Sequence, residues 1–407
     1  MPKLKEYEQY VGSDVINELE YFASKLTDVK IQNINSTAVG GGVAEILARM
    51  IPLLKELGIN AYWDVIKGGE KFFEITKKIH NALHGQQVAY TDEEIGLYLQ
   101  TNGSNAKEMN LDGDIMFIHD PQPCALVNYK RDDEQKWIWR GHVDFSNPDM
   151  FTWNFLKEYI EKYDISVFSA PSFAHRLKIP QVLISPSIDP LSEKNIDLTQ
   201  ETIDSILERF NIDKKRPLVT QISRFDYLKD PVGVIKVYKL VKKYVDCQLV
   251  LAGGGASDDP EGAKVLAEVQ EVAANDPDIF LLLLPPASDK EINALQRASD
   301  VILQKSLREG FGLTVAEALW KSKPVIAGAV GGIPLQVTHQ YSGLLTYTIE
   351  GTAFALKQLL QNPAYAKKLG ANGREQIRKN FLITRHLRDY MLLFLSLLHK
   401  KENVVFL

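Results

Sequence analysis

Apolar runs rich in β-branched residues alternate with amphipathic segments of helical period along nearly the whole chain. A strand buried on both faces reads as a continuous apolar run, and a crossover helix shows one apolar stripe. The alternation therefore predicts parallel α/β layers. In the first half, strands are expected at Val29–Asn35, Ile59–Val65, Asp114–His119, Trp137–His142, Ile165–Ser169 and Val182–Ile184, with helices between them, Gly42–Leu57 and Asn147–Glu161 included. The first ~28 residues read as helix. A second series follows, with strands at Leu218–Ser223, Gln248–Ala252, Ile279–Leu284, Val301–Gln304 and Pro324–Ala327, each leading into a helical segment. Between the two series, the run from Ser185 to Lys194 carries Pro186 and Pro190 among polar turn formers and breaks the rhythm. The domain boundary is placed there, giving residues 1–187 and 188–380.

Length supports the division, since 407 residues exceed what one core usually holds and suggest about two domains. Two consecutive doubly wound, Rossmann-like units imply a central cleft, with ligands beyond the carboxyl ends of the strands. Charge excludes some partners. A net charge of −5, with Lys and Arg dispersed, gives no basic face for nucleic acid or for an anionic membrane surface. Two cysteines, Cys124 and Cys247, fall in different predicted domains and suit a reducing cytoplasm. The start, Met-Pro-Lys-Leu-Lys-Glu-Tyr-Glu, has no apolar core, so no signal peptide is expected. The apolar tract Met391 to Leu398 is too short to span a bilayer. A homodimer is allowed by the sequence without being readable from it.

The polar and glycine-rich features gather at predicted strand ends. Glu309-Gly310-Phe311-Gly312-Leu313-Thr314-Val315-Ala316-Glu317 follows the strand at 301–304 and runs into a helix. Gly310 and Gly312 let backbone approach a ligand. The N–H groups of Gly312, Leu313 and Thr314 then open the helix, where unpaired donors favour a phosphate. Carboxylates on either side suit a sugar nucleotide, with Glu309 on sugar hydroxyls and Glu317 on ribose. Ser223-Arg224-Phe225-Asp226-Tyr227-Leu228-Lys229 leaves another strand with two cations, which suit the charge that builds on a departing diphosphate. Asn35 to Glu45 contains Gly40-Gly41-Gly42 before a helix, which is a second anion site or a plain tight turn. His142 and Asp144 lie at the end of the 137–142 strand, where His142 either donates to a sugar hydroxyl or phosphate oxygen or is structural. Asp120 and Gln122, in His119-Asp120-Pro121-Gln122-Pro123, are placed to face an acceptor.

Other signals are set aside. Asp112-Gly113-Asp114 fits a metal-binding D-x-D but precedes its strand, on the wrong rim. Asp258-Asp259-Pro260-Glu261 reads as a helix entry. The histidines and cysteines show no metal-ligand spacing. No G-x-S-x-G elbow or G-x-x-x-x-G-K-[ST] loop is present.

With Ser-Arg-Phe-Asp-x-x-Lys, Glu-Gly-Phe-Gly-Leu-Thr-x-x-Glu and Gly331-Gly332-Ile333, the chain resembles the retaining GT-B glycosyltransferases of family 4. Asn-Ser-Thr-x-x-Gly-Gly-Gly-Val-Ala-Glu-Ile-Leu, His-Asp-Pro-Gln-Pro, Pro-Ser-Ile-Asp-Pro-Leu-Ser-Glu-Lys-Asn and Gln-Arg-Ala-Ser-Asp-Val-Ile-Leu-Gln narrow the likeness. They resemble the trehalose glycosyltransferring synthases, relatives of the fungal-type trehalose phosphorylases, over roughly residues 29 to 395. The resemblance implies that residues 381–407 pack back on the first domain, which binds the acceptor. It implies reversible, metal-independent, α-retaining transfer of glucose from a nucleoside diphosphate glucose to free glucose, with no cofactor beyond that donor. It places Arg224 and Lys229 on the diphosphate, Glu309 and the Gly310–Gly312 backbone on donor glucose, Glu317 on ribose and His142 near the transferred sugar. The Gly40–Gly42 loop closes on phosphate and acceptor, and backbone near Leu284 to Ala287 meets the base. Gln336 stands where many members carry Glu, which leaves its role open. Trehalose phosphorylase, with inorganic phosphate replacing the nucleotide, is the nearest rival, and Glu317 argues against it.

Overall fold

The computed structural model describes residues 2–39, 41–254 and 260–399. It divides into two units at the Ser187/Ile188 and Leu382/Ile383 peptide bonds, so the first unit recovers the chain from Ile383 onward. The helix Ile383–Leu398 packs on the helices Ser13–Ala23 and Gly42–Glu56 of that unit. The part of the expected C-terminal segment from residue 400 onward lies outside the described residues.

Each unit is built on a 6-stranded, all-parallel sheet. The first unit holds β1 (Lys30–Asn35), β2 (Asn60–Val65), β3 (Ile115–His119), β4 (Lys136–Arg140), β5 (Ile165–Phe168) and β6 (Gln181–Leu183), in the order β2-β1-β3-β4-β5-β6. The second holds β7 (Leu218–Ile222), β8 (Gln248–Gly254), β9 (Ile279–Leu284), β10 (Val301–Gln304), β11 (Val325–Gly328) and β12 (Leu344–Thr346), in the order β12-β11-β10-β7-β8-β9.

Side-chain alternation explains why the second sheet needs cover on both faces. Val219, Leu249, Leu251, Val301 and Leu303 meet the helices Pro231–Lys242 and Ile349–Gln361 on one side. Their neighbours Leu218, Ile222, Val250 and Ala252 meet Gln200–Arg209 and Asp289–Ala298 on the other. The period of two sends consecutive apolar residues to opposite layers, so an unbroken apolar strand demands two helical layers. In the first unit the rings of Tyr390 and Phe394 stand edge-on to Phe117 of β3, at 4.9 and 5.9 Å.

Several expectations need adjustment. β12 is absent from the sequence reading; it is three residues at a sheet edge and too short to show a period. β4 stops at Arg140, two residues before His142. Gly141 still donates to Val167 O at 3.1 Å, but the chain then turns so that the Phe145 ring lies 2.4 Å from where a Gly141 Cβ would stand. The N-terminal helix is interrupted at Gly12 (φ +85), with one-turn segments at Leu4–Tyr7 and Glu8–Val11 before it. Asp112 and Asp114 are structural, because Asp112 pairs with Lys30 Nζ and Asp114 accepts the Lys30 N–H at 2.7 Å. Asp258 and Asp259 lie outside the described residues.

The strand order identifies where each sheet opens at its carboxyl edge. Connections run outward from β7 to β8 and β9, then return to β10 on the other side of β7. The loops after β7 and β10 therefore diverge, leaving a crevice at this switch point. The same reversal separates β1 from β3 in the first unit.

Candidate active site

At the switch point of the second unit, the loops after β7 and β10 bring together residues 80 positions apart. Lys229 Nζ donates to Glu309 Oε2 at 2.7 Å, and Ser306 Oγ donates to the same oxygen at 3.1 Å. Lys229 reaches this place through a short turn, Tyr227–Lys229, in which Asp226 accepts the Leu228 N–H at 2.7 Å and Gln221 Nε2 holds the Lys229 carbonyl at 2.7 Å. Asp230 follows in the left-handed region (φ +49). It caps the next helix at the Gly233 N–H (2.9 Å) and pairs with Lys305 Nζ, a side chain only 10% exposed. Arg224 is 63% exposed, and its guanidinium touches Asp226 Oδ2 at 3.2 Å. The strand ends approach so closely that a Cβ on Gly253 would lie 1.8 Å from Ser223 O.

The Glu309 loop is wrapped by the glycines after β11. A Cβ on Gly331, where φ is +55, would fall 1.6 Å from Glu309 O, and one on Gly332 would fall 2.6 Å from Gly310 O. Gln336, wholly buried, donates through Nε2 to the carbonyls of Phe311 and Gly312. Gly312 (φ +83) begins the helix Leu313–Trp320 and supplies no side-chain cap to its first N–H groups. Thr314 Oγ1 donates to Gln304 Oε1 at 3.3 Å. One turn on, Glu317 is 2% exposed, with Gln296 Nε2 at 3.4 Å and Lys194 Nζ at 3.7 Å from its carboxylate. Lys321 Nζ donates to the Glu317 carbonyl at 3.1 Å and to Asn195 Oδ1 at 2.9 Å, and burial pushes its amine down to about 7.

In the first unit, His119 closes β3 and lies beside His142, with His119 Nδ1 3.0 Å from His142 Nε2. Asp120, in the left-handed region at φ +68, accepts the His142 N–H at 2.8 Å and donates its own N–H to Arg140 O at 2.8 Å. Burial pushes the Asp120 carboxyl up to about 7, against the lowering pull of the His142 N–H and the Arg140 guanidinium. Burial and the Arg140 charge hold both imidazoles well below the usual histidine range. Gln122 stands in the loop after β3, its Oε1 buried and without a hydrogen-bond partner among the described residues. Asp144 stands in the loop after β4 and accepts the Ser146 N–H at 2.9 Å. Gly41 (φ +83) and Gly42 begin the helix Gly42–Glu56, which has no side-chain cap either. Gly40 lies outside the described residues.

The geometry thus gathers Lys229, Glu309 and Gly312 at one switch point, and His142 with Asp120 beside the other. Sequence reading missed Ser306, Lys305, Lys194, Gln296 and the polar partners of His119. One available signal was β1, where Gln32, Asn33 and Asn35 interrupt a strand position that should be apolar and are all buried.

Residues 33–175 match the family described as trehalose synthase, N-terminal domain, and residues 202–376 match glycosyl transferases group 1. The chain is 43% identical over 395 residues to a trehalose synthase of Pyrococcus horikoshii, covering 96% of this chain and 95% of that one. It is 28% identical to a trehalose phosphorylase of Pleurotus pulmonarius over 92% of this chain, which spans only 58% of the phosphorylase. A solved sucrose-phosphate synthase from Thermosynechococcus elongatus has the same fold, with a TM-score of 0.72 at 18% identity, covering 91% of this chain and 100% of that one.

Proposed function

Since the chain belongs to the trehalose synthase family of GT-B glycosyltransferases, we propose that it transfers glucose from a nucleoside diphosphate glucose to free glucose. The product is α,α-1,1-trehalose, formed reversibly and with retention at the anomeric carbon. The observation that carries this reading is the pairing of Lys229 with Glu309 beside the uncapped Gly312 helix start. A cation and free backbone N–H groups suit a diphosphate, and a carboxylate next to them suits sugar hydroxyls.

In the proposed step, the bond from the anomeric carbon to the diphosphate oxygen breaks as the acceptor hydroxyl oxygen attacks from the same face. Electrons of the breaking bond pass to the nucleoside diphosphate, and a phosphate oxygen takes the acceptor proton. Lys229, Arg224 and the Gly312–Thr314 N–H groups stabilise the growing phosphate charge. Glu309 orients donor glucose, and Glu317 with Lys194 and Gln296 around it takes the ribose. His142, Asp120, Gln122 and Asp144 serve the sugars from the first unit, and Gly41 and Gly42 offer N–H groups to the phosphate side. The chemistry uses no metal ion, so chelation with EDTA leaves the rate unchanged. The buried thiols Cys124 and Cys247 suit a cytoplasmic setting.

Likeness to a trehalose phosphorylase supports a second reading, in which inorganic phosphate cleaves trehalose. A buried carboxylate at Glu317 serves a ribose and has no purpose with phosphate alone. Incubating the protein with trehalose plus UDP, ADP, GDP or inorganic phosphate separates the two. Nucleotide glucose formed with a diphosphate supports synthase chemistry, and glucose 1-phosphate formed only with phosphate overturns it.

A further inference from the structure

His142 lies at the end of a hydrogen-bonded chain whose direction is fixed from its far end. The Tyr62 carbonyl oxygen only accepts, so the Asn33 group 3.3 Å from it is the amide nitrogen Nδ2. That leaves Asn33 Oδ1, an acceptor, facing His119 Nε2 at 3.1 Å, and places the His119 proton on Nε2. A neutral imidazole carries one proton, so His119 Nδ1 is a bare lone pair. Its neighbour at 3.0 Å, His142 Nε2, therefore donates. A neutral His142 with its proton on Nε2 is left with an unprotonated Nδ1.

Neutrality of both rings has a physical source. His119 is 1% exposed among Phe117, Asn33 and His142, and the Arg140 guanidinium opposes a further positive charge. The ring of His142 is half-buried, and its backbone N–H is spent on Asp120 Oδ1 at 2.8 Å, which fixes how the residue leaves β4. Asn33 and His119 are both buried, and the His119 ring packs against Phe117 of its own strand at 4.5 Å. Polar side chains in that position are costly unless satisfied, and they are satisfied by each other.

We infer that Asn33 and His119 are positioning residues that set the polarity of His142, so that His142 Nδ1 accepts a hydrogen bond from a hydroxyl of the sugar substrate instead of donating to a phosphate oxygen. The inference rests on the reading of His142 as a sugar-facing residue. It narrows the chemistry there, because an accepting nitrogen selects a hydroxyl and repels an anionic oxygen. It also makes the Asn33–His119 pair a relay with one allowed direction.

Nitrogen-15 NMR of histidine-labelled wild-type protein at pH 7 reads the ring states directly and needs no variant. The expected result is a proton on Nε2 of both His119 and His142, with both Nδ1 atoms bare. A proton on His142 Nδ1, or a doubly protonated ring, overturns the proposal while leaving the transfer assay untouched. His119→Phe keeps the bulk and removes the acceptor. It should return His142 to a mixture of tautomers and lower kcat about tenfold, the effect of one misdirected hydrogen bond. His119→Asn, whose side-chain oxygen can stand where Nδ1 stood, should recover to within about threefold of wild type. Unchanged tautomer and unchanged kcat in His119→Phe would sink the relay. Full glucosyl transfer by His142→Ala, with the tautomer as expected, would instead remove the sugar-facing role of His142.

Discussion

Lys229 Nζ and Glu309 Oε2 are 2.7 Å apart, and both side chains are largely shielded, at 18% and 10% exposure. A shielded pair of this kind is costly to break from one side, since the remaining charge loses its partner without regaining water. Lys229 is therefore held in place before any substrate arrives. In the proposed reaction it meets the leaving diphosphate with little reorganisation.

Replacing Lys229 with Ala should lower kcat by about 10²–10³, the usual loss when a fixed donor to a transition-state charge is removed. The KM for glucose should change much less. Steady-state kinetics with glucose varied at saturating donor reads both parameters. Preserved kcat with a raised glucose KM would refute the leaving-group assignment.

Gly331→Ala tests whether the Glu309 loop depends on the chain after β11. The added methyl would meet Glu309 O at 1.6 Å at a φ of +55, so backbone has to move. A destabilisation above about 3 kcal/mol is expected from a clash with backbone at a left-handed position. Gly41→Ala is the control, because nothing among the described residues lies within 4 Å of that Cβ although φ is +83. It should cost less, about 1–3 kcal/mol, from a backbone conformation (φ +83, ψ 157) that suits glycine alone. Urea denaturation of the two variants gives the comparison.

Gln336→Glu examines the buried amide that holds the turn before the helix Leu313–Trp320. The Gln336 amide nitrogen donates to the carbonyls of Phe311 and Gly312, and a carboxylate has no proton to give them. The substitution should destabilise the protein by about 2–4 kcal/mol through a buried, repelled charge, and raise the donor KM about tenfold or more by releasing the Gly312 turn. Thermal unfolding and donor titration measure these effects. An unaltered donor KM would mean that the loop is held by its glycines alone.

Much of the second unit was legible because its motifs lie at strand ends, and strand ends are set by an apolar pattern that survives in sequence. Arg224-x4-Lys229 and Glu309-x7-Glu317 could be placed on one rim for that reason. Their pairing could not, because Lys229 reaches Glu309 only through the β7–β10 adjacency that reverses the order of the sheet. The link between His119 and His142 was hidden in the same way. Their neighbouring strands place His119 beside Arg140 in register, and a turn at Gly141 then brings the second ring back. The task of Gln336 is set by two carbonyls 24 and 25 positions away, a separation that no local pattern spans. β12 offered no period to detect.

Asp120 gives a pH dependence with a definite sign. Its carboxyl is held up to about 7 by burial, against an ordinary value near 3.8, so the folded protein binds this proton more tightly than the unfolded chain does. Its contribution to stability is fully present below about 4 and is lost as pH rises through about 7. Asp120→Asn mimics the protonated form, still accepts the His142 N–H, and tolerates φ +68 as well as Asp does. The variant should therefore match wild type near pH 4 and become the more stable of the two by pH 8, by on the order of 2 kcal/mol. Urea midpoints for both proteins at several pH values between these limits decide the matter. Parallel curves would mean that Asp120 is ionised throughout, and that a full negative charge holds the His142 backbone in place.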